Sequence, residues 1–247
     1  MRRAALVFLV LFGTATMARA QTAGVNLSWD DCGGAGSQNM TRESCTGSDA
    51  GQQVLYASLV APAGLTLKSA NLWFGLISAT PTLPPWWMIG DPPSCRAATS
   101  LTVSYGPGCP GATDYWSTIE GGPFGSAAIY VSNPPPGTPH MVPGTNHAGI
   151  NTFVAVSNDL AYEINAGQEY YLMTLTLTNA SSATCGGCDT PVCILFNLVE
   201  LTDPPMAISG PPSGGRDFVT WQGGDSAPCA EVPVRNVTWG RVKSLYR

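Results

Sequence analysis

The chain has 247 residues, of which 44% are hydrophobic and only 11% charged, with a formal net charge of −5. Residues 1–20 (MRRAALVFLVLFGTATMARA) place two arginines before an apolar run and end on a small-x-small site, the pattern of a cleaved export leader. Loss of Arg2, Arg3 and Arg19 takes Lys+Arg from 11 to 8 against 16 acids, so the chain expected from Gln21 carries −8. That balance argues against nucleic acid and anionic membranes as partners. No later apolar run approaches the roughly 20 residues of a spanning helix, and residues 21–247 are expected to form one domain.

In chain order, period-two alternation predicts strands over 53–60, 65–78 (one bent strand or two), 98–105, 127–132, 152–157, 169–178, 193–202 and 217–222. Leu175 and Leu177 mark a buried face, and Thr174, Thr176 and Thr178 a wet one. Twenty-eight Gly and twenty-one Pro punctuate these runs. The Pro-rich stretches 81–93, 133–144 and 203–215 read as long loops, because proline removes ladder donors. The expected fold is an all-β, disulfide-stabilised antiparallel β-sandwich of Greek-key or jelly-roll type. Thr238 is expected to cap a short C-terminal helix, with Trp239, Val242 and Leu245 or Tyr246 on one face.

All eight cysteines follow the leader, so four disulfides are expected in an oxidising compartment. The Gly/Ser-rich loop between Cys32 and Cys45 suggests that these two pair. Cys95 with Cys109 requires the chain between them to turn back, since ten extended residues at about 3.3 Å each hold them too far apart. For Cys185, Cys188, Cys193 and Cys229, locality favours Cys185 with Cys188 and Cys193 with Cys229. Redox catalysis by Cys185-Gly-Gly-Cys188 lacks the helix N-terminus that lowers a thiol pKa, and structural zinc competes poorly with oxidation after export.

Catalytic chemistry is sparse. His140 and His147, the only histidines, match no common ligand spacing, and Ser213 lacks a G-x-S-x-G setting. Asp30, Asp31 and Asp49 show no regular calcium spacing. No metal and no cofactor is expected. The best binding signal is Trp86-Trp87, held in a proline-stiffened loop from which indoles could stack on sugar rings or a partner's apolar surface. The competing reading folds them back onto the fold, while Trp29, Trp73, Trp221 and Trp239 read more simply as core. Asn26, Asn39, Asn179 and Asn236 begin N-x-S/T triplets.

GVNLSWDDCG (24–33), CGGCDTPVCILFN (185–197), VTWQGG (219–224) and TWGRVKSLYR (238–247) resemble a group of functionally uncharacterised secreted bacterial proteins. The resemblance implies a bacterial exported protein and brings no activity or catalytic residue. Two classes stay open. The favoured one is a non-catalytic structural or binding module, secreted, periplasmic or on the cell surface, with a glycan or another surface protein as partner. The alternative is a secreted glycan-active hydrolase or glycan-binding module, in which acids gathered by the fold act on or hold sugar.

Overall fold

A computed structural model describes residues 23–33, 36–42, 51–90, 95–178, 185–202, 205–209, 216–223 and 229. The expected leader, the expected C-terminal helix with Trp239, and Cys45, Asp49, Asn179, Ser213 and Asn236 lie outside them. The described residues form an all-β structure whose helical content is three short 3-10 turns. Its strands are β1 (Gly24–Trp29), β2 (Asn39–Met40), β3 (Gln52–Val60), β4 (Leu65–Thr66), β5 (Ser69–Ser78), β6 (Leu101–Ser104), β7 (Thr113–Asp114), β8 (Phe124–Gly125), β9 (Ile129–Ser132), β10 (His147–Ala155), β11 (Glu163–Ile164), β12 (Glu169–Thr178), β13 (Val192–Leu201), β14 (Met206–Ser209) and β15 (Phe218–Trp221).

One sheet has the order β1-β3-β12-β6, with β7 added parallel to β12. The second runs β2-β15-β13-β5-β10-β8, with β9 also on β10 and β14 also on β13, while β11 and β4 pair separately. The strands β3, β5, β6, β10, β12 and β13 fall alternately in the first and second sheets, so each connection along this series crosses over, while β9 with β10 and β13 with β14 and β15 stay within the second sheet. Both sheets contribute to one hydrophobic core. Val25, Leu27, Leu55, Leu59 and Leu175 enter it from the first, and Leu72, Phe74, Ile150, Val154, Ile194 and Val219 from the second. Alternate residues of each strand leave on the opposite face, as the pleat requires.

Two bulges interrupt the ladders. The register of β12 on β3 shifts between Tyr171 and Met173, and the carbonyl of Leu172 at the shift accepts from the buried Trp116 Nε1 at 2.7 Å. The register of β13 on β5 shifts between Phe196 and Leu198. Asn197 at that shift donates through Nδ2 to the carbonyl of His140, 3.2 Å away. An inserted residue leaves the ladder and points its groups elsewhere, and here both bulges hold a loop against its sheet.

Three of the expected features are corrected. Residues Leu101–Ser104 stay extended as β6, so Cys95 and Cys109 do not meet. Cys109 instead bonds Cys32, Cα atoms 5.6 Å apart, and this overturns the pairing of Cys32 with Cys45. Cys95 bonds Cys185, Cα atoms 5.4 Å apart, which overturns the local Cys185 to Cys188 pairing, and Cys188 is itself disulfide-bonded. Local spacing fails as a guide because strand crossovers bring these loops together across 77 and 90 residues. Cys193 does bond Cys229.

Candidate functional site

The outer face of the first sheet is roofed by loops. Asn26 and Ser58 are cross-strand neighbours on that face, and both hydrogen-bond the Oε1 of Glu169, Asn26 Nδ2 at 3.1 Å and Ser58 Oγ at 2.5 Å. Gly33 closes over the carboxylate so tightly that a Cβ there would overlap it. Gly108 lies against the ring of Tyr171 and the side chain of Asp114 on the same face. The Cys32 to Cys109 bridge ties these two covering loops together. With Asn26 buried and engaged by Glu169, its N-x-S/T triplet offers no accessible acceptor.

Trp86 and Trp87 sit in the interior, 3% and 0% exposed, and present no indole face to a ligand. Trp86 stacks on Trp221 with ring centroids 5.2 Å apart, and Trp87 meets Trp221 edge-on at 5.5 Å. The loop is drawn inward by its backbone: Trp86 N donates to Gly186 O at 3.0 Å, Leu83 N to Thr145 O at 2.7 Å, and the Tyr130 hydroxyl to the carbonyl of Trp87. Arg96 lies over the Trp86 ring, 3.8 Å from its centroid, and donates to the Trp86 carbonyl at 3.0 Å. Burial lowers the Arg96 pKa to about 10, which leaves the guanidinium charged at neutral pH. This group of aromatics closes one end of the core, beside the Cys95 to Cys185 bridge. The expected core tryptophans Trp29, Trp73 and Trp221 are all buried.

Part of the outer face of the second sheet is also covered. Gly75 and Gly149 lie opposite each other on β5 and β10 and leave a trough without side chains. Into it comes the Pro-rich loop 133–146, with His140 against Trp73 at 4.6 Å between centroids and the Met141 side chain over Gly149. His147, at the end of this loop, has an Nδ1 without a hydrogen-bond partner among the described residues, and burial lowers its pKa. Asp31 Oδ1 accepts from Cys32 N at 2.7 Å and so serves a turn. Among the described residues no group of three or more His, Cys, Asp or Glu is arranged to hold a metal ion.

Beyond the loop, the same sheet face opens. A cavity of about 540 Å³, open to solvent, is lined there by Lys68, Ser69, Phe124, Phe153, Asn158 and Thr202, among others, with no carboxylate among the described lining residues. Phe124 and Phe153 are 58% and 36% exposed, unusual for large apolar side chains on a sheet. The strand register sets this grouping: Ser69 faces Ala155 across β5 and β10, and Ala155 faces Phe124 across β10 and β8.

Tyr105 fixes β8 in place. Its hydroxyl lies 2.5 Å from Thr152 Oγ1, 2.7 Å from Phe153 O and 2.9 Å from Ser126 O, and it donates to a carbonyl while accepting from Thr152. The ring packs so close to Gly125 that a Cβ there would overlap it. Burial raises the Tyr105 pKa, keeping the hydroxyl protonated as donor. The sequence reading missed Phe124 and Phe153, whose grouping depends on strand register and not on spacing.

Comparison with protein-family models, curated proteins and solved structures finds no match.

Proposed function

We propose that the chain is an exported, non-catalytic module of Greek-key β-sandwich type, serving a structural or binding role at the cell surface or in the extracellular space. The alternation of long strands between two sheets around one core supports the sandwich. The observation that carries the functional reading is the use made of the reactive groups. The cysteines at 32, 95, 109, 185, 193 and 229 join distant segments in disulfides, which are stable in an oxidising compartment. Glu169 is held by Asn26 and Ser58 under a loop, and the described residues lining the cavity offer hydroxyls, an amide, an ammonium and two phenyl rings. Such a lining suits binding through apolar contact and hydrogen bonds, and its described residues include no carboxylate pair of the kind that cleaves glycosides.

The test incubates the natively exported protein with soluble polysaccharides and unfolded polypeptide, then follows chain length by mass spectrometry. A module leaves both distributions unchanged over long incubation. Enzyme-dependent shortening of either polymer, abolished by heat inactivation, overturns the reading.

A further inference from the structure

We infer that the open end of the second sheet's outer face, centred on Phe124 and Phe153, is a carbohydrate site that takes one or two pyranose rings of a glycan. The inference rests on the non-catalytic binding reading and names its ligand. A cavity of about 540 Å³ lies within the roughly 300–1,000 Å³ typical of small-molecule sites. Its lining combines two features. Phe124 and Phe153 bring exposed apolar rings, and Ser69, Thr202, Asn158 and Lys68 bring hydroxyl, amide and ammonium groups. A pyranose has the matching chemistry, C–H bonds on its ring faces and hydroxyls around its edge. An amphipathic ligand matches both parts of the lining, whereas a phosphate-rich one would gain nothing from the phenyl rings.

The site is also built in advance. Phe153 lies in the continuous ladder of β10 on β5, and Phe124 is on β8, which Tyr105 pins to β10 through Phe153 O and Ser126 O. Ser69 Oγ and Thr202 Oγ1 hold each other at 3.0 Å across β5 and the end of β13. A backbone already fixed in strands lowers the ordering cost when a ligand binds.

The experiment uses the full exported chain and four probes, the hexamers of β-1,4-glucose, β-1,4-N-acetylglucosamine, β-1,4-mannose and α-1,4-glucose. Saturation-transfer NMR and calorimetry report binding, and sedimentation velocity reports self-association. At least one hexamer is expected to bind, and the Phe124→Ala/Phe153→Ala double variant to weaken it by about tenfold or more with the melting temperature within about two degrees. Phe124→Tyr, which keeps the ring, is expected to bind like the parent. Binding that survives the double substitution overturns the site. Failure of all four hexamers to bind, or a dimer of the parent chain that the double variant dissolves, also overturns it and assigns the exposed rings to another role. Neither result touches the non-catalytic reading, which falls only if probe chains are cut.

Discussion

At the residue scale, the same indole plays different parts according to its nitrogen. Trp221 is fully buried, contacts the rings of Trp29, Trp86 and Trp87, and donates from Nε1 to Cys188 O at 2.6 Å. Trp87 is equally buried, yet its Nε1 finds no acceptor among the described residues. Trp221→Ala is expected to cost about 3 to 5 kcal/mol by denaturant unfolding. Trp221→Phe should cost more than Trp87→Phe, because only the first loses a hydrogen bond and strands a buried carbonyl. Equal losses in the two Phe variants would contradict this assignment. Asp217 provides a pH test. Burial raises its pKa, so the native state binds the proton more readily than the unfolded chain, and stability falls as pH rises through the raised value. Asp217→Asn is expected to unfold at higher denaturant than the parent at about pH 7, with the gain shrinking at about pH 3, where both states carry the proton in the parent. A gain of the same size at both pH values would assign the effect to something other than ionisation.

At the scale of elements, β8 is a two-residue strand that pairs with β10, is tied to Phe153 through Ser126, and is packed from just beyond β6 by Tyr105. Gly125→Ala forces its new methyl into the Tyr105 ring and should loosen β8, read as faster amide exchange around 124–126 and weaker sugar binding. Gly186→Ala, whose Cβ meets nothing within 4 Å, is the matched control and should be silent. Unchanged exchange in Gly125→Ala would mean that β8 is not held by Tyr105. Much of this level was legible in sequence. The expected strands over 53–60, 169–178 and 193–202 coincide within a residue with β3, β12 and β13, because alternation of buried and outward residues sets strand identity directly. The expected strand at 152–157 is β10 seen late: His147 to Asn151 includes a glycine and polar residues that mask the alternation. Residues Gly24–Trp29 were not among the expected strands, although Val25, Leu27 and Trp29 alternate and all enter the core. Met206–Ser209 forms β14 inside a stretch expected to be loop, at the edge of β13 beside β15, where nearby prolines interrupt no central ladder.

At the scale of the whole molecule, sequence reading offered Trp86 and Trp87 in a proline-stiffened loop as the binding signal, with packing back onto the fold as the competing reading, and the structure buries both. Proline stiffness is compatible with either, and the decision came from Arg96, Gly186 and Tyr130, which lie in three other segments. The disulfides follow the same logic. Cys32 with Cys109 and Cys95 with Cys185 join segments far apart in the chain, where local spacing misled, whereas Cys193 bonds Cys229 as locality suggested, just beyond the neighbouring strand β15. Replacing Cys32 and Cys109 together by Ala should cost about 2 to 5 kcal/mol in chemical denaturation, since that bridge closes a long loop and clamps the roof over Glu169. Loss of less than half a kcal/mol would show that the roof holds without it.

Three disulfides hold segments of the described fold together in a fixed connectivity. Peptide mapping of the full chain, purified and digested under non-reducing conditions, reads that connectivity. The expected result includes three linked peptide pairs, Cys32 with Cys109, Cys95 with Cys185 and Cys193 with Cys229, with no thiol at any of these six positions or at Cys188. A peptide closed between Cys32 and Cys45 or between Cys185 and Cys188, or free thiol at any of the six, would contradict the account.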